Sequence, residues 1–360
     1  MNWFNSYLSN RKQYVQFNDS VSSLQTITTG VPQGSILGPL LFIIYMNDIV
    51  QITSNFHFTL YADDTSLVEP ICTFTANTQN GSNYEISETI NNELKLIMDW
   101  LCLNKLSLNA KKTKMMIFHN RQRNISHLIL KLYINDTRIE CVKEFNFLGT
   151  VLDEHMTWNS HTQKISSRIA CVVGTLNRLK RFLPSEILKM IYNALIVPHL
   201  NFGLLLWGNN IKRVFRLQKM ALRAITTSKY NAHTSPLFIK LKLLKIHDMY
   251  KLNMLKFYFK YKKDKLPKYF NGMFDNIYPT HIYDTRQKDK PIEPRWELLA
   301  AKRSIRYALP LALSITPVSI IDKIKEVSLQ TFSRHIKQIY IDIYDPLCHI
   351  SDCYICNRDA

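Results

Sequence analysis

The 360-residue chain is poor in glycine and proline, with 9 and 13 respectively, which excludes collagen-like and linker-dominated architectures. It lacks any apolar run approaching the ~18 residues that a membrane-spanning helix requires. The most apolar stretch, 193–208, is interrupted by Pro198, His199 and Asn201. The opening Met-Asn-Trp-Phe-Asn-Ser is neither a secretory leader nor a basic transit peptide. A disulfide framework is also missing: the seven cysteines are an odd count, and Cys72, Cys102, Cys141 and Cys171 lie singly at wide intervals. Reduced thiols and an intracellular location are expected, with no membrane partner. Acidic side chains are scarce as well, 28 against 46 Lys and Arg, giving a net charge of +18. There is no internal repeat and no low-complexity segment.

What is present suits a folded, basic protein. At 46% hydrophobic and 21% charged residues the chain can build a sizeable core, and its length fits two to three domains. The charge is uneven. Residues 1–110 hold 4 basic and 9 acidic side chains, and the remainder holds 42 and 19. An acidic first third before a strongly basic remainder fits a cation site beside a surface for phosphate backbones. A basic solubility surface is the plainer alternative.

The residue pattern gives the elements. Gln13–Phe17 and Ser23–Thr28 read as extended runs around the turn-prone Asn18-Asp19. Gly30, Pro32, Gly34, Gly38 and Pro39 then form the densest Gly/Pro loop. The apolar run from Leu40 predicts a buried helix with Pro39 in its first turn. Phe56, Phe58 and Leu60 alternate with polar neighbours, and the alternation resumes from Thr65 to Val68, so a tight hairpin should carry Asp63 and Asp64 at its tip. Ile86, Ile90, Leu94, Ile97 and Leu101 mark a helix face. Further strands are expected at Met115–His119, Leu130–Ile134 and Arg138–Val142, with an extended pair around Gly149. After about Trp158 the pattern turns helical and basic, with Ser185 as an expected N-cap. A domain boundary is placed near residue 155.

Adjacent carboxylates at a hairpin tip repel, and a divalent cation removes the penalty. Mg²⁺ prefers such hard oxygens and keeps its other positions for water and phosphate. An isolated Asp-Asp pair is also what a solvated turn looks like. Here it is not isolated. Tyr61-Ala62-Asp63-Asp64 resembles the Tyr-x-Asp-Asp signature of reverse transcriptases. Gly30-Val31-Pro32-Gln33-Gly34-Ser35 with the helix after it resembles that family's loop-and-helix motif. Leu108-Asn109-Ala110-Lys111-Lys112-Thr113 is similar to its Leu-Asn-x-x-Lys-Thr element, and Phe147-Leu148-Gly149 with Trp158 to its primer-gripping segment. Taken in order, the motifs look like the jockey-type elements among retrotransposons without long terminal repeats, over residues 1–160.

The resemblance implies an α+β fold, a right-hand palm (1–155) of antiparallel sheet and helices, then a helical basic thumb (156–235) and a helical basic C-terminal region (236–360). It implies RNA-directed DNA polymerase activity, with RNA template, DNA primer and deoxynucleoside triphosphates as partners and two Mg²⁺ ions as cofactors. Asp63 and Asp64 would hold the metal, and Lys112 would face the polyphosphate. Pro32, Gln33, Gly34, Tyr61 and Ala62 would line the nucleotide and template. Phe147, Leu148 and Gly149 would hold the primer. The family carries a further aspartate in a Phe-Asp element upstream of the Gly-Val-Pro-Gln-Gly loop. It has no counterpart here, and Asp153, Asp248 and Asp284 lack its context. The chain is therefore expected to be the C-terminal part of a polymerase, from an element truncated at its 5′ side or a shortened gene model, and poorly active by itself. A noncatalytic nucleic-acid-binding remnant is the alternative, and a scaffold at a membrane surface a third. A nuclear or cytoplasmic ribonucleoprotein location would follow.

In the basic remainder, Lys212, Arg216, Lys219 and Arg223 share one face of an expected helix, suited to nucleic-acid backbone. Lys251 to Lys263 interleave with Phe257, Tyr258, Phe259 and Tyr261, a stripe for base stacking or for helix packing. Cys348, His349, Cys353 and Cys356 are zinc-type ligands in a compact cluster.

Overall fold

The structure is a computed structural model, and it describes residues 2–28, 30–32, 34–71, 83–275, 277, 291, 304–314, 316–322, 324 and 326–344. These fall into two compact units, Met1–Met115 with Gln122–Val142, and Met116–Arg121 with Lys143–Ala360. Together they give the expected mixture, small two-stranded sheets followed by helices.

In the first unit the Asn18-Asp19 turn forms as expected, with Asn18 left-handed. The runs on either side are broken into two short antiparallel pairs, Gln16–Phe17 with Ser20–Val21 and Lys12–Gln13 with Gln25–Thr26. Helix α1 spans Leu37–Met46 and passes into a 3-10 turn, Asn47–Gln51. Strands β1 (His57–Tyr61) and β2 (Asp64–Val68) pair antiparallel, Tyr61 opposite Asp64. Helix α2 covers Asn83–Leu103 and buries Ile86, Ile90, Ile97 and Leu101, the face that its periodicity marks. Ile97 and Leu101 join Met46 and Ile49 in a core against which Phe56, Phe58, Leu60, Leu67 and Leu106 pack. The alternating apolar residues of the hairpin therefore point to one side, which leaves its tip free.

Several local expectations need correcting. The helix after Pro39 is only partly buried: Met46 and Phe42 reach the core, but Leu40, Ile43 and Ile44 are exposed, as is Tyr45, whose hydroxyl donates to Asn104 O. Strand character in 115–142 is shorter than the β-propensity implies. Tyr133–Ile134 and Thr137–Arg138 close around a left-handed Asn135, whereas Glu140–Cys141 leaves that hairpin and pairs parallel with Lys114–Met115. Side chains of α2 replace the missing ladder, since the Asn91 amide bonds the backbone of Lys131 and Tyr133, and Ser87 Oγ accepts from Lys131 N at 3.1 Å.

The second unit opens with a hairpin, β3 (Glu144–Phe147) and β4 (Thr150–Asp153). Helices α3 (Asn159–Leu179), α4 (Ser185–Leu195), α5 (Lys212–Ile225), α6 (Ile246–Lys262) and α7 (Leu329–Asp342) follow, with shorter helices between them, Ile305–Ser314 among them. Pro184, not Ser185, is the N-cap of α4: its extended backbone starts the helix, and Ser185 bonds Glu186 instead. One core runs from Trp158 to Tyr344. The aromatic stripe of α6 is spent there, because Tyr258 and Phe259 are buried and Phe257 and Tyr261 pack against them. Stacking on bases is thus not the role of that stripe; helix packing is.

A buried amide ties this core together. Gln218 of α5 is fully buried, donating to Tyr192 Oη and to Leu244 O and accepting from Ile246 N, all at 2.9 Å. It satisfies the first free N–H of α6. Burial pushes the Tyr192 hydroxyl up to about 12, so it remains a neutral partner. Gln218→Leu keeps the volume but strands three polar groups, and a loss of about 2–4 kcal/mol is expected by urea unfolding. Tyr192→Phe, which strands one, should cost about 1 kcal/mol.

Candidate active site and nucleic-acid interface

The Asp63–Asp64 tip is built by a conflict of local preferences. Tyr61 pairs with Asp64, so Ala62 and Asp63 alone make the turn. Two-residue hairpin turns usually place Gly or Asn where the backbone turns left-handed. Here Ala62 does so, at φ 51, and its Cβ makes this cost about 1 kcal/mol. Asp63 then stands in the turn and Asp64 opens β2, both exposed. Neither carboxylate has a hydrogen bond or ion pair among the described residues. Two free hard-oxygen donors side by side are a fitting start for Mg²⁺. Among the described residues, however, they gather no third His, Cys, Asp or Glu within ligand reach.

The Gly/Pro loop is ordered by Ser35, whose hydroxyl donates to Pro32 O at 2.8 Å and accepts from Gly38 N at 3.0 Å. Gly34 is exposed with φ +84, a backbone that only glycine takes without strain. Pro32 is half-buried and Tyr61 exposed; Gln33 lies outside the described residues. Lys112 is exposed, held by its backbone N–H on Asn109, whereas Lys114 is paired with Glu140 at 2.5 Å. Asp48 sits exposed in the 3-10 turn.

The Phe147 hairpin turns through Leu148 and Gly149, both left-handed at φ 44 and 85. Leu148 is part-exposed, and a Cβ on Gly149 would meet the Phe202 ring at 3.2 Å. Beneath it lies a hollow of about 320 Å³ lined by Gly149, His161, Lys164, Ile165, Arg168, Pro198, His199 and Phe202. His161 is buried between the Trp158 and Trp207 rings, and its Nδ1 accepts from Val151 N at 3.1 Å. The neutral ring thus carries its proton on Nε2, which has no partner. Burial, and then the Lys164 and Arg168 charges, hold this imidazole below the usual histidine range. The unfolded chain takes up the proton first as pH falls below about 6.5. Stability should therefore be flat above that pH and decline below it, and His161→Gln should remove part of the decline in urea titrations between pH 8 and 5.

Asp153 and Asp248 are committed to structure. The buried Asp153 carboxylate accepts from the backbone N–H of His155, Thr157 and Trp158 and from Thr157 Oγ1, which ties down the chain entering α3. Buried Asp248 accepts from Tyr344 Oη at 2.6 Å and lies 3.4 Å from Lys251 Nζ. Neither can stand in for a displaced catalytic aspartate.

Helix α5 presents its cations unequally. Lys212 and Arg216 are exposed, Lys219 is half-buried with Nζ 5.0 Å from the Phe215 ring centre, and Val214, Ala221 and Leu222 face the core. Arg223 is half-buried, its Nε donates to Ala232 O at 2.9 Å, and burial lowers its pKa, so it braces the loop after the helix. Cys102, Cys141 and Cys171 are exposed and form no disulfide. Cys72 and the Cys348, His349, Cys353, Cys356 cluster lie outside the described residues. No helix of the described residues is long and apolar enough to cross a membrane.

One cluster was not foreseen. His119, Glu154 and His155 bring their ligand-type atoms within 4.8 Å of one another. His119 stands far upstream of the Glu-His pair, with no spacing signature to connect them.

Residues 1–152 match the family model described as Reverse transcriptase (RNA-dependent DNA polymerase). The chain is 24% identical over 256 residues to the probable RNA-directed DNA polymerase from transposon X-element of Drosophila melanogaster, covering 68% of this chain and 26% of that protein. It is 26% identical over 259 residues to the RNA-directed DNA polymerase from mobile element jockey of the same fly, covering 68% and 27%. With the Pol polyprotein from type-1 retrotransposable element R1 of Bradysia coprophila it shares 24% identity over 212 residues, 58% of this chain and 20% of that one. The chain thus spans about a quarter of the length of the first two relatives. At family level it is similar to the reverse transcriptases of retrotransposons without long terminal repeats, of jockey and R1 type.

Proposed function

We propose that this chain is the palm-and-thumb part of an RNA-directed DNA polymerase, joining deoxynucleoside triphosphates to a DNA primer on an RNA template. The observation that carries the reading is the pair of unpartnered carboxylates on a turn strained at Ala62, inside the stretch similar to reverse transcriptases. Backbone strain kept at a surface tip is unexplained by stability and suits a site that needs its side chains presented.

Asp63 would be the main metal ligand, with Asp64 beside it, and Mg²⁺ would supply charge stabilisation at the transferring phosphate. Pro32, Gln33, Gly34, Tyr61 and Ala62 would lie along the template and nucleotide. The exposed Lys112 would meet the polyphosphate. The Leu148-Gly149 turn would track the primer, and the hollow under it, with Lys164, Arg168 and the His161 Nε2–H, suits a backbone phosphate. Residues 156–235 would act as thumb, and 236–360 as the region supporting it. The bare Leu40, Ile43 and Ile44 face of α1 is read as the seat of upstream palm strands.

Among the described residues no third carboxylate joins Asp63 and Asp64, and this favours a second reading, a nucleic-acid-binding remnant without catalysis. Primer extension on a primed RNA template separates the two. The chain joined to the upstream palm segment of a jockey-type relative should extend the primer in Mg²⁺. A joined protein that binds the template but never extends it would leave only the remnant.

A further inference from the structure

We propose that His119, Glu154 and His155 form a zinc site that clasps the segment around His119 to the end of the β3–β4 hairpin. All three residues belong to the second unit and are largely buried, with side-chain exposures of 12%, 23% and 22%. Their backbones are fixed before any metal arrives. His119 N–H donates to Glu154 O at 3.0 Å, Glu154 N–H donates to Lys143 O, and His155 N–H donates to the Asp153 carboxylate.

The rings are set in the ligating tautomer. His119 Nδ1 lies 3.0 Å from Asn120 O, and His155 Nδ1 lies 3.1 Å from His119 O. A carbonyl only accepts, so each Nδ1 carries the proton and each Nε2 keeps its lone pair. Histidine ligands to metals are usually oriented in this way, by Nδ1–H on a backbone carbonyl or carboxylate. Both Nε2 atoms flank Glu154, at 3.8 Å from Oε2 and 3.7 Å from Oε1.

Those distances decide between two explanations. They are too long for hydrogen bonds from imidazolium to carboxylate, which are ~2.7–2.9 Å. Donors about 2.0–2.2 Å from a tetrahedral zinc lie roughly 3.3–3.5 Å apart, so small side-chain rotations close the site. The two rings stand 4.5 Å apart, edge to face, which two charged imidazoliums would resist and a shared cation permits. Two imidazoles and a carboxylate select Zn²⁺ over Mg²⁺ and leave a fourth position for water.

The test uses the full chain with Cys348, Cys353 and Cys356 changed to Ser, which removes the other zinc-type cluster. Titration with Zn²⁺ against a chromophoric chelator should show one ion per chain, undisturbed by millimolar Mg²⁺. His155→Ala and His119→Ala should each weaken binding at least about 100-fold. Co²⁺ should give tetrahedral visible bands without thiolate charge transfer. In the chain with unchanged histidines, Zn²⁺ should protect His119 and His155 from diethylpyrocarbonate, a readout that does not depend on either variant folding. Zinc that binds only when the cysteines are present, or protection absent from both histidines, would overturn the site.

Discussion

Asp63→Asn, in the chain joined to an upstream palm segment, is expected to reduce primer extension by at least about 1,000-fold, or roughly 4 kcal/mol of transition-state stabilisation. The size follows from its position. Asp63 stands in the turn itself, and its carboxylate is free to meet two cations, whereas Asp64 is already the first residue of β2, held opposite Tyr61. Asp64→Asn should therefore be milder, roughly 10- to 100-fold. Neither carboxylate supports the fold, so both variants should unfold at the same urea concentration as the parent. That control separates loss of metal from loss of structure. The unjoined chain should extend a primer very poorly, because two exposed carboxylates do not hold reluctant, strongly hydrated Mg²⁺ well. The measurement is product length and rate against Mg²⁺ concentration. Efficient synthesis by the unjoined chain that persists in Asp63→Asn would refute both the ligand and the incomplete-site explanation.

Much of this site was legible because it is local. Alternation from Phe56 to Leu60 and from Thr65 to Val68 fixes a hairpin, and the hairpin fixes where its two aspartates stand. The α2 face was legible for the same reason, since one period of 3.6 dictates which residues are buried. The expectation for α1 failed because hydrophobicity states what a face would bury, and says nothing of whether a partner is at hand. The short strands of 114–141 failed differently. The hairpin at Asn135 forms as expected, but Glu140–Cys141 pairs parallel with Lys114–Met115 across it, and β-propensity carries no information about that choice.

The residues that escaped sequence reasoning are those whose meaning arises from convergence. Gln218 looks like an ordinary polar position on a basic helix, and only the packed core shows that it ties α5 to Tyr192 of α4, to the Leu244 backbone and to the start of α6. His119 reads as a strand residue until Glu154 and His155 are brought beside it. Arg223 differs from its neighbours on the helix in a way that periodicity does not show. Periodicity groups it with Lys212, Arg216 and Lys219, but the loop carbonyl of Ala232 has claimed its Nε.

That distinction sets the second large effect, on nucleic-acid binding. Each phosphate neutralised by Lys or Arg on a duplex contributes about 0.9 to the slope of log affinity against log salt. Replacing Lys212, Arg216 and Lys219 by Ala should flatten the slope for a primed RNA template by about 2–3, and weaken binding at 0.1 M salt by roughly two to three orders of magnitude. Lys219 should give the smallest share, because Phe215 already holds its ammonium. Lys212 and Arg216 are exposed, so their replacement should leave stability within about 0.5 kcal/mol of the parent, whereas the half-buried Lys219 over Phe215 should cost about 1 kcal/mol. Arg223→Ala should behave in reverse, lowering stability by about 1–2 kcal/mol through the lost Ala232 bond and changing the slope little. Fluorescence anisotropy across a salt series, with urea unfolding of the same proteins, reads both quantities. A triple variant with an unchanged slope would remove α5 from the nucleic-acid surface, and the positive charge of the chain would have to act elsewhere.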